Sequence, residues 1–372
     1  MRVLGLVPYL YDTAPSQRFR IEQWEPILRT YGVEITFVPF EDKALHALLH
    51  KPGNAGRKAR LIARAFARRM AALRSLHKYD AVFISREAAP LGPPIFERWI
   101  QRAGVPLIFD FDDAIFIPTV SAANKYWGWL KSPGKTHTTC RLASHIMAGN
   151  PYLADYARQV NQRVTVVPTT IDTEKYTVEP TRSLPDPPVI GWSGSFSTVQ
   201  CLNDLRAALR RLAEQERFRL RVIGTPSYQL DGLETEALPW RSQTEVADLR
   251  PIDIGVMPLP DDPWSRGKCG LKALQYMALG IPTVCSPVGV NSDIIHDGEN
   301  GFLAATEDEW VEKLRQLLRS APLRERLGSA GRATVEARYS AAVVAPMVYR
   351  ILESVVGKAS DLAPHPEGVL LS

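Results

Sequence analysis

Short runs of apolar residues alternate along the chain with longer segments in which apolar positions recur every three or four residues. The short runs predict strands at 2–8, 33–40, 81–85, 106–110, 145–148 and 164–168 in the first half of the chain. Between them, the helical period predicts helices at 18–31, 57–76, 94–103, 137–143 and 152–160. Near-continuously apolar strands separated by helices imply a parallel sheet covered on both faces. The stretch 172–188 breaks the rhythm: it is polar and carries Pro180, Pro185, Pro187 and Pro188, which reads as a linker. The alternation then restarts. Strands are predicted at 189–192, 220–223, 252–257 and 283–286, with a weaker one at 236–238. Helices are predicted at 202–213, 245–249, 271–279, 309–318, 323–337 and 341–355.

This pattern predicts an α/β protein of two doubly wound, Rossmann-like domains. The divisions are an N-terminal domain over 1–170, a linker over 171–188, a second domain over 189–340, a final helix over 341–356 and a disordered tail over 357–372. A length of 372 residues fits two domains. Ligands of such sheets sit where strand ends and helix N-termini converge, so the cleft between the domains is the expected site.

Composition narrows the function. Hydrophobic content of 45% and charged content of 23% are those of an ordinary globular chain. The net charge of +5 suits an anionic ligand or an acidic membrane surface. Four cysteines without Cys-x-x-Cys spacing read as reduced and buried, and no histidine stands at metal-ligand spacing from another His or Cys. No metal is expected. The N-terminus lacks the long apolar core of a signal peptide, and no run approaches the ~20 apolar residues of a membrane span. A cytoplasmic location is therefore expected, either free or peripheral on the inner face of the plasma membrane. The segment 57–74 is rich in arginine, with an apolar stripe at Leu61, Ile62, Ala65, Phe66, Met70 and Leu73. Such a helix can lie on an anionic bilayer or serve as a domain helix with a solvated polar face. No recognition module for nucleic acid is present, and no Gly-x-Gly-x-x-Gly points to a nicotinamide enzyme.

The most informative run is WSRGKCGLKALQYMALGIPTVCS, from Trp264 to Ser286. It reads as a loop, a helix stopped by Gly280, Pro282, then a strand. Arg266, Lys268 and Lys272 gather near the positive end of the helix dipole, where anions are favoured over cations. A diphosphate on the helix N-terminus, meeting the backbone of Gly270 and Leu271, gives all three cations one partner. A solvated basic loop is the alternative. Elsewhere, Asp110, Asp112 and Asp113 crowd one strand end, which raises at least one pKa. They suit acceptor positioning or base-like catalysis, or else a helix N-cap by Asp112 or Asp113. Ser16, Arg18 and Arg20 follow the first strand, and Arg86 with Glu87 follows the third. These are candidates for touching acceptor or phosphate, or surface charges and a simple salt bridge.

The run 266–286, with PVGVNSDIIHDGENGFL up to Leu303, resembles the donor half of GT-B glycosyltransferases, family 4 in particular. VVPTTIDTEKY, from Val166 to Tyr176, is similar to that family's hinge entry, and AGNPYLA, from Ala148, to its loop before the last helix of the N-terminal domain. The resemblance implies transfer of a sugar from a nucleotide diphosphate donor to a hydroxyl on a glycan or lipid-linked acceptor. It implies retention at the anomeric carbon, no cofactor beyond the co-substrate, and a last helix packed back on the N-terminal domain. Two positions depart from the family, which carries glutamates where this chain has Gly267 and Gln275. Gln275 can still hydrogen-bond a ribose hydroxyl, while Gly267 offers only backbone. The family's cations after the first strand of this domain are replaced by GWSGSFST, whose Gly194 and Ser195 can bring backbone amides to phosphate. Two alternatives remain open at this point: a sugar-nucleotide epimerase of the same fold, and a non-catalytic scaffold with a degenerate donor site.

Overall fold

The structure is a computed structural model, and it describes residues 1–49, 51, 53–117, 134–179, 187–195 and 198–362. Two six-stranded sheets form its frame, and every strand pair in both is parallel. The first sheet contains β1 (Arg2–Val7), β2 (Glu34–Pro39), β3 (Ala81–Ser85), β4 (Leu107–Phe111), β5 (His145–Ala148) and β6 (Val164–Val166), in the order β2-β1-β3-β4-β5-β6. The second contains β7 (Val189–Ser193), β8 (Arg219–Ile223), β9 (Thr235–Leu238), β10 (Ile254–Met257), β11 (Thr283–Cys285) and β12 (Phe302–Leu303), in the order β12-β11-β10-β7-β8-β9. The central strands β3, β4, β7, β10 and β11 are buried along their whole length, which is why their sequences show no polar alternation.

Strand order reverses between β1 and β3 in one sheet and between β7 and β10 in the other. Loops leaving adjacent strands at such a point diverge to opposite faces and open a crevice. The loops after β1 and β3 carry Tyr9–Asp12 and Arg86, and the loop after β7 carries Gly194 and Ser195.

The last helix, Ala341–Leu362, returns to the N-terminal domain. Its Val344, Ala345, Val348 and Leu352 share a core with Val3, Trp24, Phe83 and Ile108, and Tyr349 stacks on Tyr31 at 5.0 Å between ring centres. It continues to Leu362, so the disordered tail expected from 357 gives way to helix over its first residues, and 363–372 lie outside the described residues. So do 180–186, with Pro180 and Pro185 of the linker.

The helix expected over 18–31 is broken in two. A π-type turn spans Arg18–Glu22, with Arg20 at φ −132° and ψ −112°, and a regular helix follows over Gln23–Thr30. The physical reason is the fully buried Arg20 guanidinium, which the turn aims inward at Asp110. Nor is the apolar stripe of the basic helix, Ala55–Leu73, free for a bilayer. Leu61, Ala65 and Leu73 lie in the N-terminal core, with Ile62, Phe66 and Met70 packed against it. Among the described residues no helix is long and apolar enough to cross a membrane.

Candidate active site between the two sheets

The helix Leu271–Ala278 starts beside the crevice of the second sheet. Its N-cap is Gly270 at φ +70°, and a Cβ there would lie 2.2 Å from Ile294 Cδ1, so both backbone conformation and space require glycine. Ala273, Leu274, Tyr276, Met277 and Ala278 are buried, which fixes the helix in the domain and leaves its first turn toward the cleft. Tyr276 Oη accepts the amide of Ser193 at 2.7 Å and ties the helix to the end of β7.

The three cations expected to act together separate. Arg266 is half exposed and binds Asp261 at 2.7 and 3.0 Å, so its charge is already matched, away from the helix. Lys268 reaches across the cleft to both carboxylate oxygens of Asp113 at 3.1 Å and lies 3.5 Å from the Trp264 ring centre. Half-buried Lys272 has no carboxylate within 4.0 Å among the described residues, and its ammonium sits 5.7 Å from the centre of the Trp192 ring. Burial, helped by the charge of Lys268, pushes the Lys272 ammonium down to about 8.

The acidic strand end also divides. Asp110 is fully buried and takes three short hydrogen bonds from Arg20, whose remaining nitrogen donates to the Val167 carbonyl at 2.8 Å. Burial opposes the Arg20 charge, but Asp110 overrules it and raises Arg20 further. Asp110 and Arg20 therefore form a closed internal pair. Their expected places, Asp110 in catalysis and Arg20 beside phosphate or acceptor, are corrected. Asp112 and Asp113 do face the cleft. Arg86 holds them at 3.1 and 3.7 Å. Burial pushes the Asp112 carboxyl above the usual range while Arg86 pulls it back, and the crowding of carboxylates is a lesser influence. Among the described residues the one backbone amide that Asp113 accepts is that of its neighbour Ala114, which lies in no helix, so it makes no conventional N-cap there. Among the described residues no three His, Cys, Asp or Glu side chains cluster as a metal site.

Arg18 is a bridge between domains. Its Nε binds Asp12 at 2.6 Å and its Nη2 binds Glu245 of the second domain at 2.9 Å, with the side chain 7% exposed. Its guanidinium is thus occupied by Asp12 and Glu245, so neither the contact with phosphate or acceptor expected for it nor a surface charge describes it. Half-buried Ser16, on the first helical turn, makes no polar contact with the cleft groups among the described residues, and Glu87 turns aside to Lys135 at 3.5 Å. Glu245 also accepts from Tyr176 Oη and from Trp240 Nε1, both at 2.8 Å. Gln275, 3% exposed, donates to Tyr176 Oη at 3.0 Å. A chain of contacts thus runs from the N-terminal domain to the position where the family carries its second glutamate. Sequence reasoning missed Glu245, Tyr176 and Trp192. Trp264 stands at the head of the run that the sequence singles out, but its stacking with Lys268 comes from the turn after the helix Pro263–Arg266, which no periodicity announces.

Gly267 closes the cleft locally. A Cβ there would lie 2.6 Å from Ala114 Cβ and 2.9 Å from the Ala114 amide. A glutamate at this position has no space, so the departure from the family pattern is matched by contact with the opposite domain. Asn150 adds to that contact by donating to the carbonyls of Arg266 and Lys268 at 3.2 and 2.9 Å.

The family profile described as glycosyl transferases group 1 matches residues 187–320. No curated protein matched the chain. Among solved structures, sucrose-phosphate synthase from Thermosynechococcus elongatus superposes with a TM-score of 0.69 at 14% identity, covering 96% of this chain and 100% of its own. Anabaena Alr3699/HepE, solved in complex with UDP and glucose, gives 0.66 at 15% identity, over 95% of this chain and 100% of its own. WaaG, a glycosyltransferase involved in lipopolysaccharide biosynthesis, gives 0.59 at 14% identity over 95% and 99%. At these identities the likeness is one of fold, and that fold is GT-B. Residues 187–320 thus match the group 1 glycosyltransferase profile, and the chain as a whole has the GT-B fold.

Proposed function

We propose that the protein moves a sugar from a nucleotide diphosphate sugar to a hydroxyl acceptor, with retention, in the synthesis of cell-surface polysaccharide or lipid-linked glycan. The observation that carries the donor reading is Lys272, a half-buried ammonium without a carboxylate, beside Lys268 at the first turn of a helix. A diphosphate supplies the missing negative charge, and the dipole of that helix favours it further. The complexes of the Anabaena neighbour with UDP and with UDP-glucose support a donor of this class.

In the reaction, the bond between the anomeric carbon and the β-phosphate oxygen breaks, the acceptor oxygen bonds to that carbon, and the proton of the acceptor hydroxyl passes to the leaving diphosphate. Lys268 and Lys272 stabilise the negative charge that grows on the leaving diphosphate. Lys268 must exchange Asp113 for phosphate to do so. The released Asp113, still held by Arg86, then orients the acceptor hydroxyl across the cleft. The phosphate role expected for the amides of Gly194 and Ser195 is corrected, because they are already donated to the Ile223 carbonyl at 2.9 Å and to Thr198 Oγ1 at 3.0 Å. Gln275 is buried with its amide on Tyr176 Oη, so a ribose contact requires it to leave that hydroxyl.

Turnover of nucleotide sugars with and without a hydroxyl acceptor tests this reading. Release of nucleoside diphosphate that depends on acceptor supports transfer. Conversion of the sugar with the nucleotide still attached supports the epimerase, and neither turnover nor nucleotide binding supports the scaffold.

A further inference from the structure

Resting on the diphosphate placement above, we infer that Trp264 is the platform for the donor's sugar: a neutral pyranose packs its C–H face on the indole once Lys268 has left it. The ring is firmly mounted. Asp262 caps the short helix Pro263–Arg266 by accepting the Ser265 amide at 2.7 Å, and Ser265 is fully buried. Just beyond, Asn150 of the first domain grips the carbonyls of Arg266 and Lys268. Trp264 itself is half-buried, and the Lys268 ammonium rests 3.5 Å from its ring centre.

The other side chains of this run are already committed. Arg266 turns to Asp261, Gly267 has none and backs on Ala114, and buried Cys269 donates its thiol to the Asp112 carbonyl at 3.2 Å. Lys268 and Lys272 border one space, since the charge of the first is felt at the second. A diphosphate there draws Lys268 from Asp113 toward Lys272 and uncovers the indole. The sugar is bonded to the β-phosphate, so it starts beside that uncovered face. Its anomeric carbon then lies between Trp264 and the wall that receives the acceptor.

Charge narrows the sugar. That wall carries Asp112 and Asp113 against the single guanidinium of Arg86, at 3.1 and 3.7 Å. With Lys268 moved to phosphate, two carboxylates face one cation. A carboxylate on the sugar would meet this excess on one side and the electron-rich indole face on the other. A neutral pyranose offers hydroxyls to the carboxylates and C–H groups to the ring.

Calorimetric titration of UDP, UDP-glucose, UDP-galactose and UDP-glucuronate into the wild type, Trp264→Phe and Trp264→Leu tests this. At least one neutral sugar nucleotide should bind the wild type more tightly than UDP, and UDP-glucuronate should not. Trp264→Leu should weaken that neutral sugar nucleotide by about 3- to 12-fold, the size of an aromatic stacking contact, while Trp264→Phe keeps most of the affinity. UDP itself should bind Trp264→Leu at least as tightly as the wild type, because Lys268 no longer has a ring to leave. The comparison of sugars in the wild type needs no variant and stands even if Trp264→Leu melts early. Equal weakening of UDP and the sugar nucleotide, unchanged binding of both, or a preference for the glucuronate would overturn the platform and leave the diphosphate placement intact. Absence of UDP binding to the wild type would overturn that placement and the platform with it.

Discussion

Lys272 carries the most physical tension of any cation in the cleft. Its pKa is lowered to about 8, first by burial and then by Lys268. An unfolded lysine titrates near 10.4. Below about pH 8 both states hold the proton and the native state bears the full cost of a poorly solvated charge. Between those values the unfolded state binds the proton and the native state does not, so stability should rise with pH across that window. Lys272→Met should flatten the rise, and melting curves of both proteins across the window check this. A bound diphosphate reverses the preference and returns the charge. Nucleoside diphosphate binding near pH 8 should therefore take up protons, which calorimetry in buffers of different ionisation enthalpy detects. Arg266→Ala should leave diphosphate affinity within about twofold, because Arg266 already has a partner in Asp261. At this scale the chain was only half legible. The lysines announced themselves by their place before a helix. The pairings of Arg266 with Asp261 and of Arg20 with Asp110 did not, because an arginine side chain is long enough to choose among several acids and only the backbone path decides.

Among the elements, the strands were the most readable. β3 and β5 fall at the expected residues because buried parallel strands are short, apolar throughout and bounded by polar loops. β12 has two residues, and the helices Lys43–Leu49, Pro263–Arg266 and Asn291–Ile294 are of seven residues or fewer, too short to establish a period. The turn at Arg20 was hidden for another reason: an ordinary amphipathic pattern runs through it, and the break comes from a buried ion pair made with a distant strand. The helix Leu271–Ala278 depends on its glycine cap. Gly270→Ala forces a side chain into a left-handed position and into Ile294, and should cost about 1–2 kcal/mol from the backbone alone. Denaturant unfolding measures the loss. Diphosphate binding should weaken as well, since the cap sets the direction of the first-turn amides.

For the molecule as a whole, the contacts that hold the domains together include Arg18 with Glu245, Lys268 with Asp113, Asn150 with the carbonyls of Arg266 and Lys268, and Gly267 against Ala114. None was legible, since each joins residues of separate domains and the sequence pattern describes each domain alone. The general cleft was legible, because two parallel sheets of this topology present their strand ends to it. Arg18→Ala leaves the Glu245 carboxylate buried against Tyr176 and Trp240, and should destabilise the protein by about 3 kcal/mol. Adding Glu245→Gln removes the stranded charge and should restore part of that loss, a coupling that a double-mutant cycle measures.

The account stands most directly on calorimetric titration of UDP and of uridine into the wild type and Lys272→Ala. A charge-assisted hydrogen bond contributes about 1.5–3 kcal/mol, so the variant should bind UDP about 10- to 150-fold more weakly while its affinity for uridine stays nearly unchanged. Equal losses for both ligands, or no loss for either, would contradict the placement of the donor diphosphate at this helix.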